Sequence, residues 1–162
     1  LRKCLARANC LLEASLSKTF NKKLKLENRI DQKILGGTII QVGNFAIIGG
    51  LAAVHQFIQI GDHAMISGGS LVRKDVPPYT KAGREPLSYV GINSVGLRRR
   101  GFTPDQINEI QDIYRTVFLK KYNITKALDI IETERQPTEI RDEILDFIRN
   151  SNRGVMKGFG NA

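Results

Sequence analysis

VGNFAIIGGLAAVHQFIQIGDHAMISGGSLVRKDVP, residues 42–77, decides the fold. Written in sixes it reads VGNFAI, IGGLAA, VHQFIQ, IGDHAM, ISGGSL, VRKDVP. An aliphatic residue opens every line: Val42, Ile48, Val54, Ile60, Ile66 and Val72. Glycine holds the second place at Gly43, Gly49 and Gly61, and a small residue the fifth at Ala46, Ala52, Ala64 and Ser70. A period of six is neither the 3.6 of an amphipathic helix nor the 2 of an alternating strand. It is the period of a parallel β-helix, in which the aliphatics point inward and the small residues are expected to let the chain turn at each corner.

Outside the repeat the chain changes character. Residues 1–33 carry nine lysines and arginines against three acids, +6 of the +9 net charge of the 162-residue chain. This basic leader has neither aromatic interleaving nor a nucleic-acid motif, so it is read as a solvated segment and no nucleic-acid partner is expected. ILGGTIIQ, residues 34–41, leads into the repeats, giving expected coils over 34–78. Pro77, Pro78 and Pro86 then predict an ordered loop over 79–101, since proline interrupts strand pairing. A helical domain is expected over 102–162. Thr103, Pro104 and Gln106 form a capping box with proline at the first helical position. Apolar stripes follow through Ile107–Phe118, Ala127–Ile131 and Ile140–Ile148.

Several chemistries find no support. Cys4 and Cys10 lack the partners of a zinc site, and a reducing, cytoplasmic setting is expected. No apolar run approaches the length of a transmembrane helix. LRKCLARANCLLEAS lacks the long apolar centre of a secretory signal, and the opening Leu1 suggests a missing start. Walker, GxSxG, CxxC and Rossmann motifs are absent. The two histidines, His55 and His63, are eight residues apart and expected on different faces, so no metal site is expected. His55 breaks the repeat rule by replacing a second-place glycine. It is a candidate base or substrate contact, or else a surface histidine with a satisfied hydrogen bond. Arg98, Arg99 and Arg100 follow a loop containing Gly91, Asn93 and Gly96, a composition suited to approaching an anion.

NFAIIGGLAAVHQFIQIGDHAMISGGSLVRKDVPPY, then GINSVGLRRRGF, then a tail ending FIRNSNRG, closely resembles the acyl-(acyl carrier protein)–UDP-N-acetylglucosamine O-acyltransferases that begin lipid A biosynthesis. The likeness runs over about residues 42 to 156. It implies a left-handed parallel β-helix with three hexads per triangular coil, followed by a C-terminal three-helix region. It also implies a cytoplasmic homotrimer with active sites in clefts between neighbouring prisms. The implied reaction moves a 3-hydroxyacyl chain from acyl carrier protein to the 3-hydroxyl of UDP-N-acetylglucosamine, with no metal or cofactor. A histidine base takes the hydroxyl proton and a backbone N–H steadies the oxyanion.

Carried over residue by residue, His55 matches the histidine of VHQF near the substrate, and Gln56 adjoins it in the acyl cleft. Gly68 matches a position that limits acyl length. Asn93, Arg99 and Arg100 match the nucleotide-binding loop, with Val95 where some relatives carry an acid. Gly37 matches the oxyanion glycine with a slip of one residue. The family's catalytic histidine precedes VHQF by about two coils, where this chain has only the leader. The resemblance therefore implies the C-terminal part of such an enzyme, joined to an unrelated leader and nearly inactive as it stands. Alternatives are a non-catalytic, trimer-forming hexapeptide-repeat fragment and a coenzyme A-dependent hexapeptide acetyltransferase.

Overall fold

A computed structural model describes residues 40–120 and 122–158; the leader and Gly37 lie outside the described residues. Six two-residue strands come first: β1 (Gln41–Val42), β2 (Ile47–Ile48), β3 (Ala53–Val54), β4 (Gln59–Ile60), β5 (Met65–Ile66) and β6 (Leu71–Val72). Each begins six residues after the last, and β1, β2 and β3 each pair in parallel with the strand three further on. The partners are Val42 with Ile60, Ile48 with Ile66, and Val54 with Val72. The chain thus returns to the same face every eighteen residues, which explains the period of six: three faces share one turn of chain.

The corners are built differently from the expectation. The turn falls to the fourth residue of the first five hexads, in the left-handed region: φ is 56° at Phe45, 61° at Leu51, 63° at Phe57, 56° at His63 and 70° at Gly69. For the four non-glycine residues this costs about 1–2 kcal/mol each. Backbone ladder bonds offset it, such as His63 N–H to Asn44 O at 2.8 Å and Gly69 N–H to Gly50 O at 2.9 Å. The fifth-place residue instead fills the inside of the corner, with Ile58 and Ala64 fully buried. Small size there suits packing rather than turning, which is why Ile58 is tolerated. Second-place glycine has its own reason. A Cβ on Gly49 would sit 2.4 Å from the backbone nitrogen of Gly68 in the next layer.

The aliphatic first places form a stack. Ile60, Ile66 and Val72 are buried, each stabilising the coil by about 1.5–3 kcal/mol. In the first layer Ile47 and Ile48 stand 48% and 41% exposed. Among the described residues nothing pairs with the outer edges of β1, β2 and β3.

Residues 79–101 are not a loop leading away. They hold β7 (Thr80–Gly83), β8 (Ser88–Ile92) and helix α1 (Ser94–Arg99). The prolines misled because they occupy a corner between ladder positions: Val76 still bridges Ile60, and β7 resumes parallel pairing with β5. β8 then turns back antiparallel to β7.

Three further helices follow: α2 (Pro104–Tyr114), continued by a π turn over Arg115–Leu119, α3 (Ile124–Glu134) and α4 (Glu139–Arg149). The Thr103–Gln106 capping box is formed in full. Ile110, Ile113, Tyr114 and Ile144 are fully buried. The buried Tyr114 hydroxyl donates to Pro78 O at 2.6 Å, tying α2 to the coil. The chain ends on β9 (Lys157–Gly158), parallel to β8. Just before it, Asp75 clamps the tail. Its carboxylate accepts from Gln59 N–H at 2.9 Å and from the Ser151 hydroxyl at 2.5 Å.

Candidate functional site

The eighteen-residue return sorts the candidate residues onto three corners. Phe45 and His63 share one, Leu51 and Gly69 the second, and Phe57 and Asp75 the third. His55 and Gln56 lead into the Phe57 corner, Gly68 into the Gly69 corner, while Asn93 and Arg100 lie against the Phe45–His63 corner. A single copy of the chain therefore does not gather them into one site.

His55 is pinned through its backbone, N–H to Val72 O at 2.9 Å, and its side chain is exposed. Its Nδ1 lies 3.1 Å from Gln56 O, an arrangement that favours a proton on Nδ1. Nε2 then carries the lone pair and can accept a proton or a hydrogen bond. The Phe57 ring beside it is half exposed, with the Arg153 guanidinium 5.9 Å from its centre. Gly68 is exposed, and a Cβ there would lie 2.9 Å from Gly50 O. Coil stacking alone thus restricts this position, whatever else lies against it.

At the Phe45–His63 corner, Asn93 is buried and its amide is engaged at both ends. Nδ2 donates to His63 O at 2.9 Å and Oδ1 accepts from Gly96 N–H at 3.2 Å. Asn93 thereby caps α1 and fastens it to the coil. Gly96 has no Cβ because one would sit 2.4 Å from Asn93 Nδ2. α1 carries Arg98 and Arg99 in its last turn and Arg100 at its end, all exposed. Among the described residues Arg73, Arg115, Arg135, Arg141 and Arg149 pair with carboxylates, whereas Arg98, Arg99 and Arg100 do not. Among the described residues, these three adjacent guanidinium groups are the clearest anion-binding feature.

An aromatic column that sequence reading missed runs along this corner. Tyr79 stacks on His63 at 5.7 Å between ring centres, and His63 on Phe45 at 5.1 Å. Arg100 lies over Phe45 at 4.0 Å, and Phe102 meets His63 and Tyr79 edge-on. Phe45 and His63, both fourth in their hexads and eighteen residues apart, carried the available signal. Burial holds the His63 pKa below its ordinary value; Asp62 opposes this and Arg100 adds to it. Tyr79 donates a hydrogen bond to Glu143 on α4, whose carboxyl pKa is raised, mainly by burial. His63 is thus a structural ring. Among the described residues no three His, Cys, Asp or Glu side chains gather to hold a metal, and no helix is long and apolar enough to cross a membrane.

Short parallel strands recurring on three faces, followed by an arginine-rich turn and a helical tail, define a hexapeptide-repeat protein. Residues 75–156 match the family model described as UDP N-acetylglucosamine O-acyltransferase, domain 2. The acyl-(acyl carrier protein)–UDP-N-acetylglucosamine O-acyltransferase of Myxococcus xanthus is 38% identical over 118 residues, which is 73% of this chain and 46% of that protein. The Burkholderia mallei enzyme of the same name is 34% identical over 122 residues, 73% of this chain and 47% of that one. Among solved structures, the UDP-N-acetylglucosamine acyltransferase of Bacteroides fragilis superposes with a TM-score of 0.71 at 43% identity, covering 73% of this chain and 46% of that one. That of Francisella novicida gives 0.70 at 32% identity, over 75% and 45%. The chain belongs to the UDP-N-acetylglucosamine O-acyltransferase family, and it spans about half the length of the relatives it matches. A second match, to the ATP synthase delta (OSCP) subunit, covers residues 7–52, less than a third of the chain, and assigns no family.

Proposed function

We propose that this chain carries the acyl- and nucleotide-binding part of an acyltransferase moving a 3-hydroxyacyl group from acyl carrier protein to UDP-N-acetylglucosamine, in the cytoplasm, at the start of lipid A biosynthesis. The observation that carries this reading is the α1 turn. Asn93 locks it to the coil, and it presents Arg98, Arg99 and Arg100, which have no carboxylate partner among the described residues. A nucleoside diphosphate is a fitting anion for such a turn, and the family relatives are named for a UDP-sugar. Arg99 and Arg100 bind the diphosphate and Asn93 orients the turn, while His55 and Gln56 line the acyl cleft and Gly68 borders it.

The same reading makes the coils a left-handed parallel β-helix and the protein a homotrimer. Its support is that His55, Gly68 and Arg100 sit on three corners and need a neighbouring copy to meet. In the reaction the sugar 3-hydroxyl oxygen bonds to the thioester carbon. Its proton passes to a base, and the carrier thiolate leaves and takes up a proton. His55 and His63 are the only histidines of the chain, and His63 is held within the aromatic column. His55 supports substrate rather than supplying the family's base, so turnover by these 162 residues alone is slow. We also read residues 1–33 as foreign to the acyltransferase, because they carry a dense positive charge and no clear hexad pattern. Gly37 falls outside the described residues, and its oxyanion role stands on the resemblance alone.

Calorimetric titration with UDP-3-O-(3-hydroxyacyl)-N-acetylglucosamine tests the reading. Saturable binding, weakened tenfold or more by Gln56→Ala and by Arg99→Ala, is expected. Absence of binding, or binding indifferent to both substitutions, would overturn it.

A further inference from the structure

Arg100 does not stand free at the end of α1. Its guanidinium carbon lies over Phe45, 4.0 Å from the ring centre; Phe45 stacks on His63, and His63 on Tyr79. All three ring-bearing residues hold left-handed backbone conformations, with φ of 56°, 56° and 63°. Side chains as large as these rarely adopt that region, and such strain persists where the surroundings over-determine it. The turn at Phe45 is fixed from below, because Asn44 donates to Asp62 Oδ1 at 2.9 Å and to Oδ2 at 3.0 Å. Behind Tyr79 the column ends on Glu143 of α4.

We propose that Phe45, backed by His63 and Tyr79, is a positioning residue that fixes the Arg100 guanidinium for a nucleoside diphosphate. The proposal rests on the nucleotide reading of the α1 turn given above. A guanidinium held over an aromatic ring by cation–π attraction still has N–H groups to offer, and these meet phosphate oxygens in pairs. An unstacked arginine would have to lose its side-chain freedom when the ligand arrives; a stacked one has lost much of it already. His63 suits the middle of the column because a neutral imidazole lies beneath the cation without repelling it. The shelf spans one corner and two layers of the coil, so residues far apart in sequence, Phe45 and Arg100, act on one phosphate.

UDP binding by the full chain, measured by titration calorimetry, tests this. An exposed cation–π contact predicts that Phe45→Leu weakens UDP about two- to fivefold. Phe45→Tyr, which keeps the ring, restores it. Phe45→Leu combined with Arg100→Ala is expected to bind no worse than Arg100→Ala alone. Unchanged affinity in Phe45→Leu while Arg99→Ala or Arg100→Ala weakens UDP, or losses that simply add in the double variant, would overturn the proposal and leave the nucleotide reading intact. No UDP binding by the unchanged chain, or binding indifferent to Arg99→Ala and Arg100→Ala, would refute the nucleotide reading and the proposal with it. One measurement needs no variant. Ring currents from Phe45 are expected to move the Arg100 side-chain proton resonances upfield, and an Arg100 at ordinary shifts would refute the stack.

Discussion

Asp75→Ala removes the clamp between coil and tail. Asp75 is 1% exposed, and its two carboxylate oxygens take the Gln59 backbone N–H at 2.9 Å and the Ser151 hydroxyl at 2.5 Å. Its own backbone bridges the tail as well, N–H to Gly154 O at 3.1 Å and O from Met156 N–H at 3.0 Å. Alanine keeps the backbone pair and loses both side-chain bonds. A hydrogen bond to a charged group contributes about 1.5–3 kcal/mol, and a buried donor left alone costs about 1–3 kcal/mol. Gln59 N–H is the donor that suffers, since the partly exposed Ser151 hydroxyl can turn to water. A loss of about 3 kcal/mol follows. With a urea slope of about 2 kcal/mol/M, the unfolding midpoint falls by about 1.5 M. Asp75→Asn, which keeps one acceptor, falls by about half as much. Hydrogen exchange adds a local readout: the Met156 amide loses protection before that of Ile66. A midpoint for Asp75→Ala within about 0.25 M of the unchanged chain would refute the reasoning, as would a Ser151→Ala loss of equal size.

Other expectations follow from the coil and its corner. Gly61→Ala places a Cβ 2.4 Å from the Pro78 nitrogen, a backbone neighbour that cannot swing away. A loss of about 1–3 kcal/mol is expected in urea unfolding, and an unchanged midpoint would show that the layers can part there. The His63 pKa is lowered in the fold, chiefly by burial, so the unfolded chain takes the proton first as pH falls. Stability contributed by neutral His63 is therefore complete above about pH 6.5 and is lost as pH drops toward the lowered value. His63→Phe is expected to flatten that part of the stability–pH curve, and an unaltered slope would contradict the placement of His63. Glu143 runs the other way. Its pKa is raised, so its share of stability is greatest below the ordinary glutamate range and declines as pH rises through the raised value. Glu143→Gln is expected to remove that decline in a pH series of unfolding curves; a decline that persists would contradict it.

The hexad register was readable because one period of aliphatics, from Val42 to Val72, has no competing explanation. The helices were readable too, with Thr103 and Pro104 announcing α2 and the stripe through Ile144 and Ile148 placing α4. The corner geometry was not. Phe45, Leu51 and Phe57 look like core residues on propensity, yet they adopt left-handed turns and stand partly or fully exposed. Prolines hid β7, because Pro77 and Pro78 fall at a corner that needs no ladder donor. In the candidate site the residue types were legible but their partners were not. Asn93 stood out by its match to the nucleotide-binding loop, but the partners of its amide, His63 O thirty residues away and Gly96 N–H, were not legible. Asp75 carried no signal beyond breaking the repeat at the fourth place, and its partner Ser151 lies 76 residues away.

Acyl transfer by the purified 162-residue chain, from a 3-hydroxyacyl carrier protein to UDP-N-acetylglucosamine and beside a full-length relative, tests the account most directly. Loss of a positioned base costs about 10²–10⁴-fold, so slow transfer in that range is predicted, with no transfer of acetyl from coenzyme A. A rate within tenfold of the relative would show that the chain holds a base not identified among His55 and its neighbours, and acetyl transfer from coenzyme A would contradict the assigned reaction outright.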